Sequence, residues 1–144
     1  IKALYMKDFG YCVWYIPENG PWHRFTNGFT PHVTIKHSLT YSDALRLYLA
    51  IDPKKIEIEL DKAQVSIEDD FWALYYNLKP IENKPQWYPK NAHISFLYQY
   101  NEPITSIHVN YLKQYLVPYK SKLTKVALAY CKGHFRKWKI LQIK

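Results

Sequence analysis

PHVTIKHSL at residues 31–39 and AHISFLYQY at residues 92–100 are the stretches on which the fold turns, because they follow one plan. Each carries a histidine, places a Thr or Ser two positions later, and fills the intervening and following positions with Val, Ile or Phe. β-Branched and aromatic residues at this density read as strands. Side chains two apart on a strand share a face. His32 with Thr34, and His93 with Ser95, therefore offer an imidazole and a hydroxyl to one side, while Val33, Ile35, Ile94 and Phe96 point to the other.

The surroundings repeat as well. Residues 11–16 (YCVWYI) form a strand that stops at Pro17, and residues 74–78 (LYYNL) form one that stops near Pro80. Polar, proline-containing loops at 18–31 and 81–91 then lead into the histidine strands. Helical spacing follows each time. Ser42 is placed to cap a helix whose Ala44, Leu45, Tyr48 and Leu49 share a face. Thr105 or Ser106 opens another with Ile107, Tyr111, Leu112 and Tyr115 on one side and Pro118 at its end. Between the two units, residues 55–67 alternate apolar and acidic side chains in an extended pattern. Residues 126–131 and 135–143 read as a hairpin closed at Lys132-Gly133. The expectation is one α+β domain spanning residues 1–144.

Composition narrows the classes. With 144 residues, 48% of them hydrophobic, the chain can bury a core, so intrinsic disorder is excluded. No apolar run reaches the length of a membrane span, and residues 1–9 lack the basic-then-apolar pattern of a leader. A soluble, cytoplasmic monomer is expected. Twenty Lys and Arg against twelve Asp and Glu give +8, which favours phosphates or nucleic acid as partners, or else a solubilising lysine-rich surface. Cys12 and Cys131 lie in apolar, strand-like stretches and read as buried, reduced thiols unless they approach closely enough to bridge.

If the repeat in sequence corresponds to a twofold relation in space, the two His/hydroxyl pairs face one another across a cleft. That arrangement suits cleavage of a phosphodiester. One neutral imidazole takes the proton of the attacking oxygen and the other, protonated, supplies the leaving oxygen. Thr34 and Ser95 donate to the non-bridging oxygens as charge builds there. The substrate's direction across the cleft decides which histidine is the base, so both assignments stay open. No metal or other cofactor is needed. A zinc site built from His32, His37 and a cysteine lacks any recognised ligand spacing. Trp22, Phe25 and Phe29 in the first loop, and Trp87 and Tyr88 in the second, are placed either to stack on bases or to cap the core. Lys36 and Tyr98 follow the motifs closely enough to reach the cleft. His134, Arg136 and Lys137 near the last turn either steer a phosphate or are merely solvated.

The paired His-x-Thr/Ser strands resemble the 2H phosphoesterase superfamily, which includes LigT-like RNA cyclic phosphodiesterases. YCVWYIP resembles that family's first strand and its proline exit, FTPHVTIKHSL the first motif in context, and GHFRKWKILQI the last hairpin. The resemblance implies a bilobed, pseudo-twofold fold of two antiparallel sheets with outer helices around a central groove. It implies His32 and His93 as the catalytic pair, Thr34 and Ser95 as phosphate contacts, and no metal. The stretch from His32 to His93 is shorter than in many members. Substrates in the superfamily are small nucleotide phosphodiesters. A free-standing domain of AT-rich composition resembles viral members that degrade immune second messengers in the host cytoplasm. The expected substrate is thus a nucleotide or short oligonucleotide with a 2′-5′ linkage, such as 2′,3′-cGAMP or 2′-5′ oligoadenylate. The alternatives are an RNA-processing enzyme acting on 2′,3′-cyclic or 3′ ends, and a non-catalytic module that binds single-stranded RNA.

Overall fold

The computed structural model describes residues 8–68 and 71–144, so most of the stretch read for a leader lies outside the described residues. In chain order it contains β1 (Tyr11–Pro17), β2 (Val33–Leu39), α1 (Tyr41–Ala50), β3 (Ile56–Ile67) and β4 (Trp72–Leu78). There follow β5 (His93–Gln99), α2 (Ser106–Tyr115), β6 (Lys120–Tyr130) and β7 (Lys139–Ile143), with short 3-10 turns at Pro21–Arg24 and Phe135–Lys137. Strand, loop, strand, helix does occur twice, as β1-β2-α1 and β4-β5-α2. No helix among the described residues is long and apolar enough to cross a membrane.

The strands do not form the two sheets expected from the sequence. They make one seven-stranded antiparallel sheet in the order β1-β2-β5-β4-β3-β6-β7, with β1 also paired to β6. Two features merge the halves. Strand β6 is longer than its apolar C-terminal part foretells, and its start pairs with β3 from Ile56↔Leu123 to Glu59↔Lys120. Its remainder pairs with β1, from Tyr11↔Tyr130 to Pro17↔Leu123. At the other junction, β2 and β5 meet through the bridge Val33↔Ile94. The sheet thereby closes on itself as β1-β2-β5-β4-β3-β6.

Both faces of β1 are covered, which is why YCVWYI shows no polar alternation. Val13 and Tyr15 enter the main core with Val33, Tyr76, Ile94, Phe96, Leu116 and Leu123. Cys12, Trp14 and Ile16 join a second cluster with Ala127, Ala129 and Cys131 on the opposite face. Truncating a large, fully buried side chain such as Phe96 costs about 3–5 kcal/mol.

The helices differ in detail from expectation. In α1 the cap is Thr40, whose hydroxyl accepts from the Asp43 amide at 3.1 Å, rather than Ser42. Ala44 and Tyr48 are buried there, but Leu49 is exposed. Helix α2 turns Leu112 inward together with Val109 and the following Leu116, leaving Ile107, Tyr111 and Tyr115 in solvent. Both apolar sets fit helical spacing, and packing selects one. The last hairpin pairs Tyr130 with Lys139, so its connection runs through residues 131–138 and not through a tight Lys132-Gly133 turn.

Candidate active site

The bridge Val33↔Ile94 positions the site. His32 directly precedes Val33, and His93 directly precedes Ile94. Since the pairing is antiparallel, one step either way sets His32 opposite Ser95 and Thr34 opposite His93. Val33 and Ile94 are buried in the main core, so strand alternation turns the four polar residues onto the other face.

Each motif then repeats the same local geometry. Thr34 pairs with Trp14 across the β1–β2 ladder, and Ser95 with Tyr75 across β4–β5. The His32 ring stacks on Trp14 at 3.7 Å and 10°, and the His93 ring packs on Tyr75 at 4.9 Å and 56°. His32 Nδ1 lies 2.6 Å from the Thr30 carbonyl, and His93 Nδ1 lies 3.1 Å from the Asn91 carbonyl. In both cases the carbonyl is two residues upstream. A carbonyl can only accept, so Nδ1 carries the proton and Nε2 is left to take or give one.

A β-bulge follows each hydroxyl. Val13↔Lys36 and Trp14↔Thr34 leave Ile35 as an extra residue on β2, and Leu74↔Leu97 and Tyr75↔Ser95 leave Phe96 extra on β5. A bulge re-aims the side chains beyond it. The residue three positions after the hydroxyl, His37 in one strand and Tyr98 in the other, accordingly lines the same cavity of about 160 Å³ as His32, Thr34 and His93. Lys36, expected to reach the cleft, is instead exposed and outside that lining. Regular alternation would have placed neither His37 nor Tyr98 there.

The environments of the two halves differ. His32 is buried and its pKa is lowered to about 4, chiefly because burial penalises the charged ring and further because of the nearby His93 charge; the Thr30 carbonyl opposes this. His93 is exposed. Tyr98 is pushed up to about 12 by burial, and the Ser95 hydroxyl lies within its hydrogen-bonding reach. Thr34 thus opens directly onto the cavity, whereas Ser95 sits beneath it beside Tyr98.

The other expected contacts fall elsewhere. Trp22 is buried, donates its indole N–H to the Pro118 carbonyl at 2.8 Å and meets Phe96 edge-on. Phe25, Trp87 and Tyr88 pack against the same main core, with Trp87 stacked on Tyr15 at 4.8 Å. None of these four lines the histidine cavity. Cys12 and Cys131 are free thiols, buried in the floor of that cavity, and their mutual hydrogen bond together with burial holds Cys131 protonated. No group of three or more His, Cys, Asp or Glu among the described residues is arranged to hold a metal ion. Trp14, Tyr75, His37 and Trp138 shape the site without a sequence signal of their own, although the repeat, once registered strand against strand, pairs Trp14 with Tyr75. No protein-family model and no curated protein sequence matches the chain.

Proposed function

We propose that this protein is a metal-independent phosphodiesterase of the 2H kind, cleaving a small nucleotide phosphodiester between His32 and His93. The observation that carries the reading is the twofold recurrence of five features around the motifs: histidine, hydroxyl, upstream carbonyl, cross-strand aromatic and bulge appear in each half. A duplicated strand pair that merely packed would not need two imidazoles fixed in the same tautomer toward one cavity. The repetition also supports reading the closed sheet as two halves related by a pseudo-twofold.

In this reading His32 is the base, which part of the asymmetry supports. Its buried ring is neutral at neutral pH, with Nε2 ready to accept. It takes the proton from the attacking oxygen, either water or a ribose hydroxyl, as the new P–O bond forms. His93 enters protonated and gives its Nε2 proton to the leaving oxygen as the old P–O bond breaks. Thr34 donates to a non-bridging oxygen, while Ser95, on the same strand as His93, sits beneath the cavity beside Tyr98. The formal charge of +8 favours approach of an anionic nucleotide.

The 2′-5′ linkage of a signalling nucleotide is the proposed target, resting on the resemblance. The test is a substrate panel in EDTA: 2′,3′-cGAMP, 2′-5′ oligoadenylate, 3′-5′ oligoadenylate and a 2′,3′-cyclic nucleotide, with products separated by chromatography. Turnover confined to 2′-5′ bonds is the expected result. Opening of the cyclic phosphate or trimming of the 3′-5′ oligomer alone would move the enzyme to RNA processing. No turnover of any substrate, with tight single-stranded RNA binding, would replace it by a binding module.

A further inference from the structure

A second cavity of about 380 Å³ adjoins the histidine cavity and shares Trp14 and Trp138 with it. Its remaining walls are Gly28, Phe29, Thr30 and Ile140. The smaller cavity has room for a phosphate group but not for a nucleoside as well, so whatever the phosphate carries must extend beyond it. Two half-buried aromatic rings, Phe29 and Trp138, flank the adjoining space, with the almost wholly buried Trp14 behind them. Phe29 meets Trp138 edge-on at 5.9 Å, and Trp138 lies 6.1 Å from Trp14, whose other contact is the stacked His32 ring. Because these rings touch one another, a planar base lies against the group rather than inserting within it, a contact that aromatic rings make whatever the base.

The rim is cationic and built for close approach. Gly28 has φ +110, and a Cβ there would come within 2.9 Å of Arg136 Cγ, so glycine is what lets the arginine lie across this loop. Arg136 is followed by Lys137 and Lys139 on the connection and strand that carry Trp138. The same loop includes Thr30, whose carbonyl holds His32 Nδ1. One loop therefore forms a wall of the larger cavity and orients the proposed base.

We infer that this second cavity is a nucleobase site, holding the base of the nucleoside on the His32 side of the scissile phosphate against Phe29 and Trp138. The inference rests on the phosphodiesterase reading for its choice of ligand, but it is tested by binding rather than turnover. Ile140 lines the cavity and not the histidine site, so Ile140→Trp fills it from the edge strand. Calorimetry with 5′-AMP, 5′-GMP and ribose 5-phosphate compares a ligand with a base to one without. Wild type should bind the mononucleotides at least about tenfold more tightly than ribose 5-phosphate, since stacking contributes on the order of 1–3 kcal/mol per base. Ile140→Trp should bring the mononucleotides to the ribose 5-phosphate level and leave ribose 5-phosphate binding unchanged, which also reports that the variant is folded. Phe29→Leu, which keeps an apolar wall but removes the ring, should weaken the mononucleotides in the same sense. Equal binding of all three ligands by wild type, or mononucleotide binding untouched by both variants, overturns the site. Base-selective binding removed by Ile140→Trp in a protein that cleaves no diester would keep the site and end the phosphodiesterase reading.

Discussion

Val33 and Ile94 face each other across the antiparallel bridge that joins the two histidine strands, and this register decides which side chains meet. It crosses the motifs, setting each histidine opposite the other motif's hydroxyl. Two imidazoles and a hydroxyl consequently come to one cavity from residues far apart in sequence.

The depressed pKa of His32 makes folding stability depend on pH in a defined window. Above about 6.5 the imidazole is neutral in both states and contributes no dependence. Between 6.5 and about 4 the unfolded chain takes up a proton that the folded site refuses, so stability falls as the pH falls. Below about 4 the slope from this residue ends. Burial of this ring is nearly complete, and the full effect is on the order of 3 kcal/mol. Urea unfolding at several pH values should show wild type losing stability relative to His32→Phe across that window. Parallel curves for the two proteins would mean that His32 is solvated in the folded state.

Catalysis should carry the same asymmetry. If His32 is the base, kcat/KM should hold as the pH is lowered until about 4, where that imidazole protonates. A pH profile of kcat/KM for wild type and His93→Gln tests the assignment: the variant should keep the acidic limb near 4, because His32 is untouched. Loss of the acidic limb instead would exchange the two roles.

The bulge after Thr34 distinguishes two adjacent basic residues. Both are exposed, but only His37 lines the cavity. Lys36→Ala should change kcat/KM by no more than about twofold, as exposed charges contribute little. His37→Ala should lower it by about tenfold, the size of one lost hydrogen bond to a charged group. Steady-state kinetics of both variants decide the matter, and the reverse order would mean that β2 keeps regular alternation in solution.

Much of this was legible in the sequence because the relevant patterns are local. The His-x-Thr/Ser pairs, the Pro-terminated strands that precede them and the twofold order of elements all follow from alternation and turn chemistry within a few residues. What escaped depends on partners distant in the chain. Strand β1 is apolar on both faces, so nothing in YCVWYI says that Trp14 rather than Tyr15 turns toward His32. The bulges at Ile35 and Phe96 exist only relative to β1 and β4, so the sequence carries no sign that His37 and not Lys36 lines the cavity. Trp22 and Trp87 occupy loops, where aromatics serve ligand or core equally well, and their burial here goes to Phe96 and Tyr15. The single sheet follows from β6 reaching across to β3, a pairing that period-two patterning cannot assign.

The most direct test of the two-histidine reading is turnover of one susceptible phosphodiester by wild type, His32→Ala, His93→Ala and the double variant, all in EDTA. Groups that act as one acid–base unit are not additive. Each single variant should lose about 10²–10⁴-fold in kcat/KM, and the double variant should fall little below the weaker of the two. Wild-type turnover kept by either single variant, or activity restored to them by added divalent metal, would contradict it.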